Sequence, residues 1–163
     1  MQVVERLNAK KTRDVEEFLD AQYGFTDELP YVFLLQTKTM KLLLLTQEAA
    51  DAPLNLLRVN SQGLYLAEVN EAQTNFRLSI DGTQIIGPKA TKNVLELTND
   101  EFDLWVRGNS LPVDESLKER LTDLSGYIII KNSLGDFFGV ANQKDGELMN
   151  FIPKARRVQS KLE

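Results

Sequence analysis

Cysteine and histidine are both missing from the 163 residues of this chain. Without a thiol there is no disulfide, no thiolate metal site and no cysteine nucleophile. Without imidazole the commonest general base and the commonest zinc ligand are gone, and a Ser-His-Asp triad cannot be assembled. The acidic residues are scattered, and no paired carboxylates stand out for acid–base work. Phosphate-loop motifs are also lacking: Gly135-Asp136-Phe137-Phe138-Gly139 carries two glycines without the rest of a nucleotide-binding pattern. Apolar runs such as Tyr31 to Leu35 and Leu42 to Leu45 fall far short of the ~20 residues that cross a bilayer. The beginning, Met1-Gln2-Val3-Val4-Glu5-Arg6, has no signal-peptide hydrophobic region. These absences imply binding rather than catalysis, with no cofactor, no metal site and no membrane partner. The expectation is a cytoplasmic protein.

What is present suffices for one domain or two small ones. A chain of this length buries roughly two-thirds of its unfolded surface and needs no staple. The spacing of Val15, Phe18, Leu19 and Gln22 predicts a helix from about Arg13 to Gln22, with Thr12 as its cap and Gly24 as its stop. Tyr31 to Gln36 and Met40 to Leu45 read as a hairpin across Thr37-Lys38-Thr39. Thr46 to Ala50 reads as a short helix stopped by Pro53. Leu64 to Val69 and Asn75 to Ile80 alternate as strands, and Asp81-Gly82 reads as a tight turn.

Gly87-Pro88-Lys89-Ala90 is the best boundary. It divides an α/β half (1–87) from a second pattern (88–163). There, Asn93 to Leu97 reads as a strand. Thr98-Asn99-Asp100-Glu101 has the capping-box form, so a helix starts at Thr98, carries Phe102, Trp105 and Val106 on one face and ends at Gly108. Leu111-Pro112-Val113 is extended, and Leu117 to Leu124 is a helical turn or a loop. Tyr127 to Lys131, Phe137 to Ala141 and Leu148 to Ile152 read as strands, with turns around Gly135 and at Asp145-Gly146. Arg156 to Val158 reads as a closing strand. The class is α+β, with the second half a small, mostly antiparallel barrel bearing one capped helix.

The formal net charge is −5, yet from Lys144 to Glu163 five basic residues face three acidic ones, a local excess of two. A local basic face matters more to polyanion binding than the whole-chain sum. Lys131, Lys144, Lys154, Arg156 and Arg157 are the candidates for phosphate contact. Phe137 and Phe138 face opposite sides of a strand. One fills the core, and the other is either covered by the first half or free to stack on a base. Trp105 reads as core, and Tyr65 and Tyr127 as strand residues without a special task.

From Arg107-Gly108-Asn109 through Phe138-Gly139-Val140-Ala141 the chain resembles a PUA domain, the small RNA-binding barrel of pseudouridine synthases and archaeosine transglycosylases. Asn150-Phe151-Ile152-Pro153-Lys154-Ala155-Arg156-Arg157 resembles the end of PUA domains attached to archaeal RNA cytosine methyltransferases. With Phe76 to Gly82 upstream, the arrangement is similar to a two-domain archaeal ribosome-biogenesis factor family: an α/β domain followed by a PUA domain. The resemblance implies a non-enzymatic protein that binds structured rRNA or tRNA in ribosome biogenesis or RNA modification. An RNA methyltransferase or a ribosome-assembly protein is the implied partner. It places Arg107 and Gly108 at a helix end beside RNA, with Asn109 able to read a base edge. The rival reading, favoured by the acidic charge, is a protein-interaction adaptor that keeps the barrel as scaffold.

Overall fold

The computed structural model describes residues 4–53, 56 and 59–159; Lys161 and Glu163 of the basic tail lie outside them. The first helix, α1 (Ala9–Tyr23), starts earlier than its apolar stripe implies. Its cap is Asn8, not Thr12: the Asn8 side chain accepts from the Lys11 N–H at 2.9 Å. Lys10 and Lys11 are good helix formers and extend the helix back to that cap. Gly24 ends it at φ 61, donating to the Asp20 carbonyl at 2.7 Å.

The expected hairpin is β2 (Val32–Gln36) with β3 (Lys41–Leu45). α2 (Gln47–Asp51), capped by Thr46, follows it, then β4 (Leu64–Val69) and β5 (Phe76–Leu78). β1 (Val4–Arg6) pairs with the free edge of β2. The order is β1-β2-β3-β4-β5 with every pair antiparallel. The first half is therefore an antiparallel sheet with helices packed on it rather than an α/β unit. Both faces are apolar, because β2 and β3 are continuous hydrophobic runs. Phe33, Leu35, Leu42 and Leu44 face α1, while Val32, Leu34, Leu43 and Leu45 face Ala49 and Ala50 of α2.

Beyond β5 the chain does not turn at Asp81-Gly82 but forms α3 (Ile80–Ile86). Ser79 decides this. Its hydroxyl accepts from the Gly82 N–H at 2.9 Å and donates to the Tyr65 carbonyl at 2.5 Å. A short 3-10 turn, Gly87–Lys89, leads into the second half.

That half contains β6 (Val94–Glu96), α4 (Asn99–Val106), β7 (Leu111–Pro112), α5 (Glu115–Arg120), β8 (Ile128–Lys131), β9 (Phe137–Lys144) and β10 (Glu147–Asn150). The sheet order is β6-β8-β9-β10-β7, with β6 and β8 parallel and the rest antiparallel. It curls as a half-barrel. The capping box forms as expected: the Glu101 N–H reaches Thr98 Oγ1 at 3.3 Å and the Thr98 N–H reaches Glu101 Oε2 at 2.9 Å. Two helices flank the sheet where one was expected, because Asp114 caps α5 by accepting from the Leu117 N–H at 2.8 Å. Asp145 and Gly146 close the β9–β10 hairpin at φ 52 and 77, the two-residue geometry that needs positive φ twice. The closing strand expected at Arg156 to Val158 does not form. Pro153 cannot donate to a ladder, and Lys154–Arg156 winds into a 3-10 turn instead.

α3 joins the halves. A Cβ on Gly82 would overlap the Leu66 carbonyl oxygen of β4. On the other side the fully buried Thr83 hydroxyl accepts the Gly139 N–H of β9 at 3.0 Å and donates to the Ile80 carbonyl at 2.7 Å. The end of α1 makes a second junction. Gln22 donates to the Ser125 and Tyr127 carbonyls at 2.8 and 3.0 Å, and Asn93 donates to the Gln22 carbonyl at 2.6 Å. One core cluster accordingly mixes Val15, Leu19 and Leu42 with Ile129 and Val140. The other packs Trp105, Leu117, Ile128 and Leu148 with Ile80. No helix among the described residues is long and apolar enough to cross a membrane.

Tyr23 is fully buried, and its hydroxyl has no hydrogen-bond partner among the described residues. Burial, and secondarily Tyr127, pushes its pKa above the ordinary 10.0. Above about pH 10 the unfolded chain loses this proton while the folded chain keeps it, so the group makes stability fall as pH rises. Tyr23→Phe should remove that alkaline component and stabilise the protein by about 1 kcal/mol at neutral pH, since no hydrogen bond is lost. Denaturant unfolding at pH 7 and pH 11 reads both effects. Gly→Ala in a helix ordinarily stabilises by roughly 1 kcal/mol. Gly82→Ala should instead destabilise by about 2 kcal/mol, because a backbone carbonyl must move.

Candidate nucleic-acid interface

Arg107 is the C-cap of α4, and its guanidinium forks onto Asp103 through two contacts of 3.2 Å. Gly108 then turns the chain at φ 91, a value few side chains tolerate. Asn109 folds back, donating from both its main chain and its side chain to the Leu104 carbonyl at 3.2 and 3.1 Å.

The tail meets this loop. Arg157 lies across Gly108, where a Cβ would overlap its side chain, and donates from Nε to the Ile152 carbonyl at 3.1 Å. The Val158 N–H bonds the Val106 carbonyl at 2.9 Å. Arg156 pairs with Asp81 at the start of α3 at 3.3 Å. Lys154, in the same 3-10 turn, is exposed and has no ion-pair partner among the described residues.

Asn150 organises the meeting of loop and tail. Its amide donates to the Trp105 and Asn109 carbonyls at 2.7 and 3.0 Å, and its side-chain oxygen accepts from the Ile152 N–H at 2.8 Å. It thereby ties the end of α4 and the loop after it to the start of the tail. Nothing local in the sequence marks Asn150 for this task, nor Asp81 as the counter-ion of Arg156. Both partners are distant in the chain.

Six of the eight residues singled out from the sequence thus gather in one region: Arg107, Gly108, Asn109, Lys154, Arg156 and Arg157. Four cations there face two acids, Asp103 and Asp81. Lys131 is not brought to it, and Lys144 makes no hydrogen bond or ion pair with these six among the described residues. Lys131 lies on β8, two strands from β10, and pairs with Glu96 at 3.4 Å. Lys144 ends β9 at the Asp145-Gly146 hairpin. Across that hairpin it faces Glu147, which pairs in turn with Pro112 of β7.

Both candidate stacking rings are half-buried in contacts within the chain. Phe137 packs against Gly87 of the first half, and Phe138 packs edge-on against Phe102 at 5.9 Å. Trp105 is fully buried, with its indole donating to the Phe138 carbonyl at 3.1 Å.

No family model matches the sequence, and no curated protein matches it. Among solved structures the chain is similar to a conserved PUA-domain protein from Thermoplasma acidophilum. The TM-score is 0.56 at 12% identity, over 91% of this chain and 82% of that one. The likeness spans both halves and establishes a PUA-like fold.

Asn150→Asp keeps the acceptor for Ile152 but turns the donor toward two carbonyls into a carboxylate. We expect a loss of about 2 kcal/mol or more in unfolding free energy. Amide exchange should quicken first at Asn109 and Val158, where loop and tail separate.

Proposed function

We propose that this chain is a non-enzymatic RNA-binding protein for structured ribosomal or transfer RNA, acting in ribosome biogenesis or RNA modification. In this reading residues 88–163 form the RNA-binding PUA-like domain, and residues 1–87 orient it or dock a protein partner. That partner is an RNA methyltransferase or a ribosome-assembly protein. The setting is cytoplasmic, in the manner of the archaeal two-domain factors the sequence resembles.

The observation that carries this reading is the convergence of the Arg107-Gly108-Asn109 loop with the Lys154–Arg157 turn. Segments some forty-five residues apart in sequence are bound together by Asn150 and by Arg157 over Gly108. Cations held on a fixed backbone meet phosphates without ordering of the main chain. Arg107 and Arg156 each trade a carboxylate for a phosphate, while Lys154 and Arg157 have no acid to give up among the described residues. Exposed ion pairs are worth only about 0 to 1 kcal/mol, so exchange at Arg107 and Arg156 is inexpensive. The adaptor reading draws on the net charge of −5 and on those same two ion pairs.

Salt titration of binding to transfer RNA and to ribosomal RNA fragments separates the readings. RNA binding by these cations predicts a log–log salt slope of about −3, from four phosphates at roughly 0.7–0.9 each. Lys154→Glu should weaken binding several-fold, and Arg156→Glu with Arg157→Glu more sharply. Asp81→Asn, which frees Arg156, should strengthen it. Absence of binding at low salt in the wild type decides for the adaptor.

A further inference from the structure

The cationic surface does not stop at the tail. Phe151, immediately after β10, reaches the first sheet, where the guanidinium carbon of Arg77 lies 4.8 Å from its ring centre. The Tyr127 ring packs edge-on against Phe151 at 5.8 Å. Ile152 then packs in one cluster with Ile80, and Arg156 reaches Asp81. The tail therefore runs alongside the segment from Arg77 to Asp81, across the junction of the two halves.

Arg77 belongs to a row. Lys41 of β3, Glu68 of β4 and Arg77 of β5 are direct cross-strand partners. Arg77 pairs with Glu68 at 2.5 Å. Lys41 sits 4.9 Å above the Tyr65 ring and has no ion-pair partner among the described residues. The two cation–aromatic pairs thus lie on neighbouring strands, Lys41 and Tyr65 on β3 and β4 and Arg77 on the edge strand β5, with Phe151 three residues before Lys154.

We propose that this strip, Lys41, Tyr65, Arg77 and Phe151, takes a single-stranded RNA segment continuous with the structured RNA gripped at Arg107 and Lys154 to Arg157. Unpaired bases stack on aromatic rings and on guanidinium planes, while cations between them follow the phosphates. Here the guanidinium of Arg77 is supported from behind by Phe151 and presents its other side to a base. Lys41 and Lys154 supply phosphate contacts at either end. All four residues of the strip are half-exposed rather than buried (the Arg77 side chain is 28% exposed), as a platform for an extended ligand must be. This inference rests on the RNA-binding reading and adds to it a ligand class and a role for the first half.

The test uses the full chain and three fluorescent RNAs: a flush-ended hairpin, the same hairpin with six unpaired adenosines at its 3′ or 5′ end, and the six adenosines alone. An overhang at one end should tighten wild-type binding about tenfold relative to the flush hairpin, as one well-stacked base supplies. Arg77→Gln and Lys41→Glu should each remove most of that gain while leaving the flush hairpin unchanged. Lys41 is at the sheet surface, so its variant keeps the test valid if loss of Arg77 loosens the junction. Hairpin binding with no gain from either overhang overturns this inference alone. An equal loss for flush and overhanging hairpins in both variants also overturns it, by showing a structural staple. Failure of every RNA to bind overturns the RNA-binding reading itself.

Discussion

Everything in this fold hangs on how closely α3 approaches its neighbours on two sides. One side meets β4 at a distance that leaves no room for a Cβ on Gly82. The other meets β9 through a single buried hydroxyl, that of Thr83. Gly139 stands at φ 87, outside regular strand geometry, so its N–H would be orphaned in the interior without Thr83. Small side chains on α3 bring the sheets together, and a polar one fixes their register. Apolar packing alone would allow the halves to slide, since it has no direction.

The surface assembled from loop and tail is a by-product of that arrangement. Ile80 and Ile152 share a cluster because α3 holds the first half against the end of β10. Pro153 then breaks the strand, and the chain crosses from the first half to the end of α4. Asn150 and Arg157 close the gap with hydrogen bonds to main-chain carbonyls rather than with apolar contact. A polar seam of this kind orders side chains while leaving them near water, which a charged surface requires.

Features governed by neighbours along the chain are legible in the sequence. The capping box at Thr98 and Glu101, the Gly24 stop and the Asp145-Gly146 turn are each fixed within a few residues. Features governed by distant partners mislead. Asp81-Gly82 has the composition of a turn, but Ser79 caps a helix there, and Gly82 is present because Leu66 is near. Arg156 to Val158 reads as a closing strand, yet Pro153 upstream and the end of α4 dictate its path. Charge carries no position at all. Nothing beside Lys131 in the chain foretells that it lies two strands from β10 and pairs with Glu96. The PUA-like order of elements is recoverable because it depends on sequence rhythm. Asn150 and Asp81 are not, because their roles exist only across the folded molecule.

The mixed core also constrains how the molecule comes into being. Val15, Leu19 and Leu42 close their cluster with Ile129 and Val140, so the sheet face that α1 covers emerges from synthesis with its cluster incomplete. That face waits for β9, some ninety-five residues downstream of β3. Local contacts can form early, but completion is deferred until nearly the whole chain has been made. The two halves, though each has its own sheet, are thus obliged to mature together, with the leucine-rich strands incompletely packed during that interval.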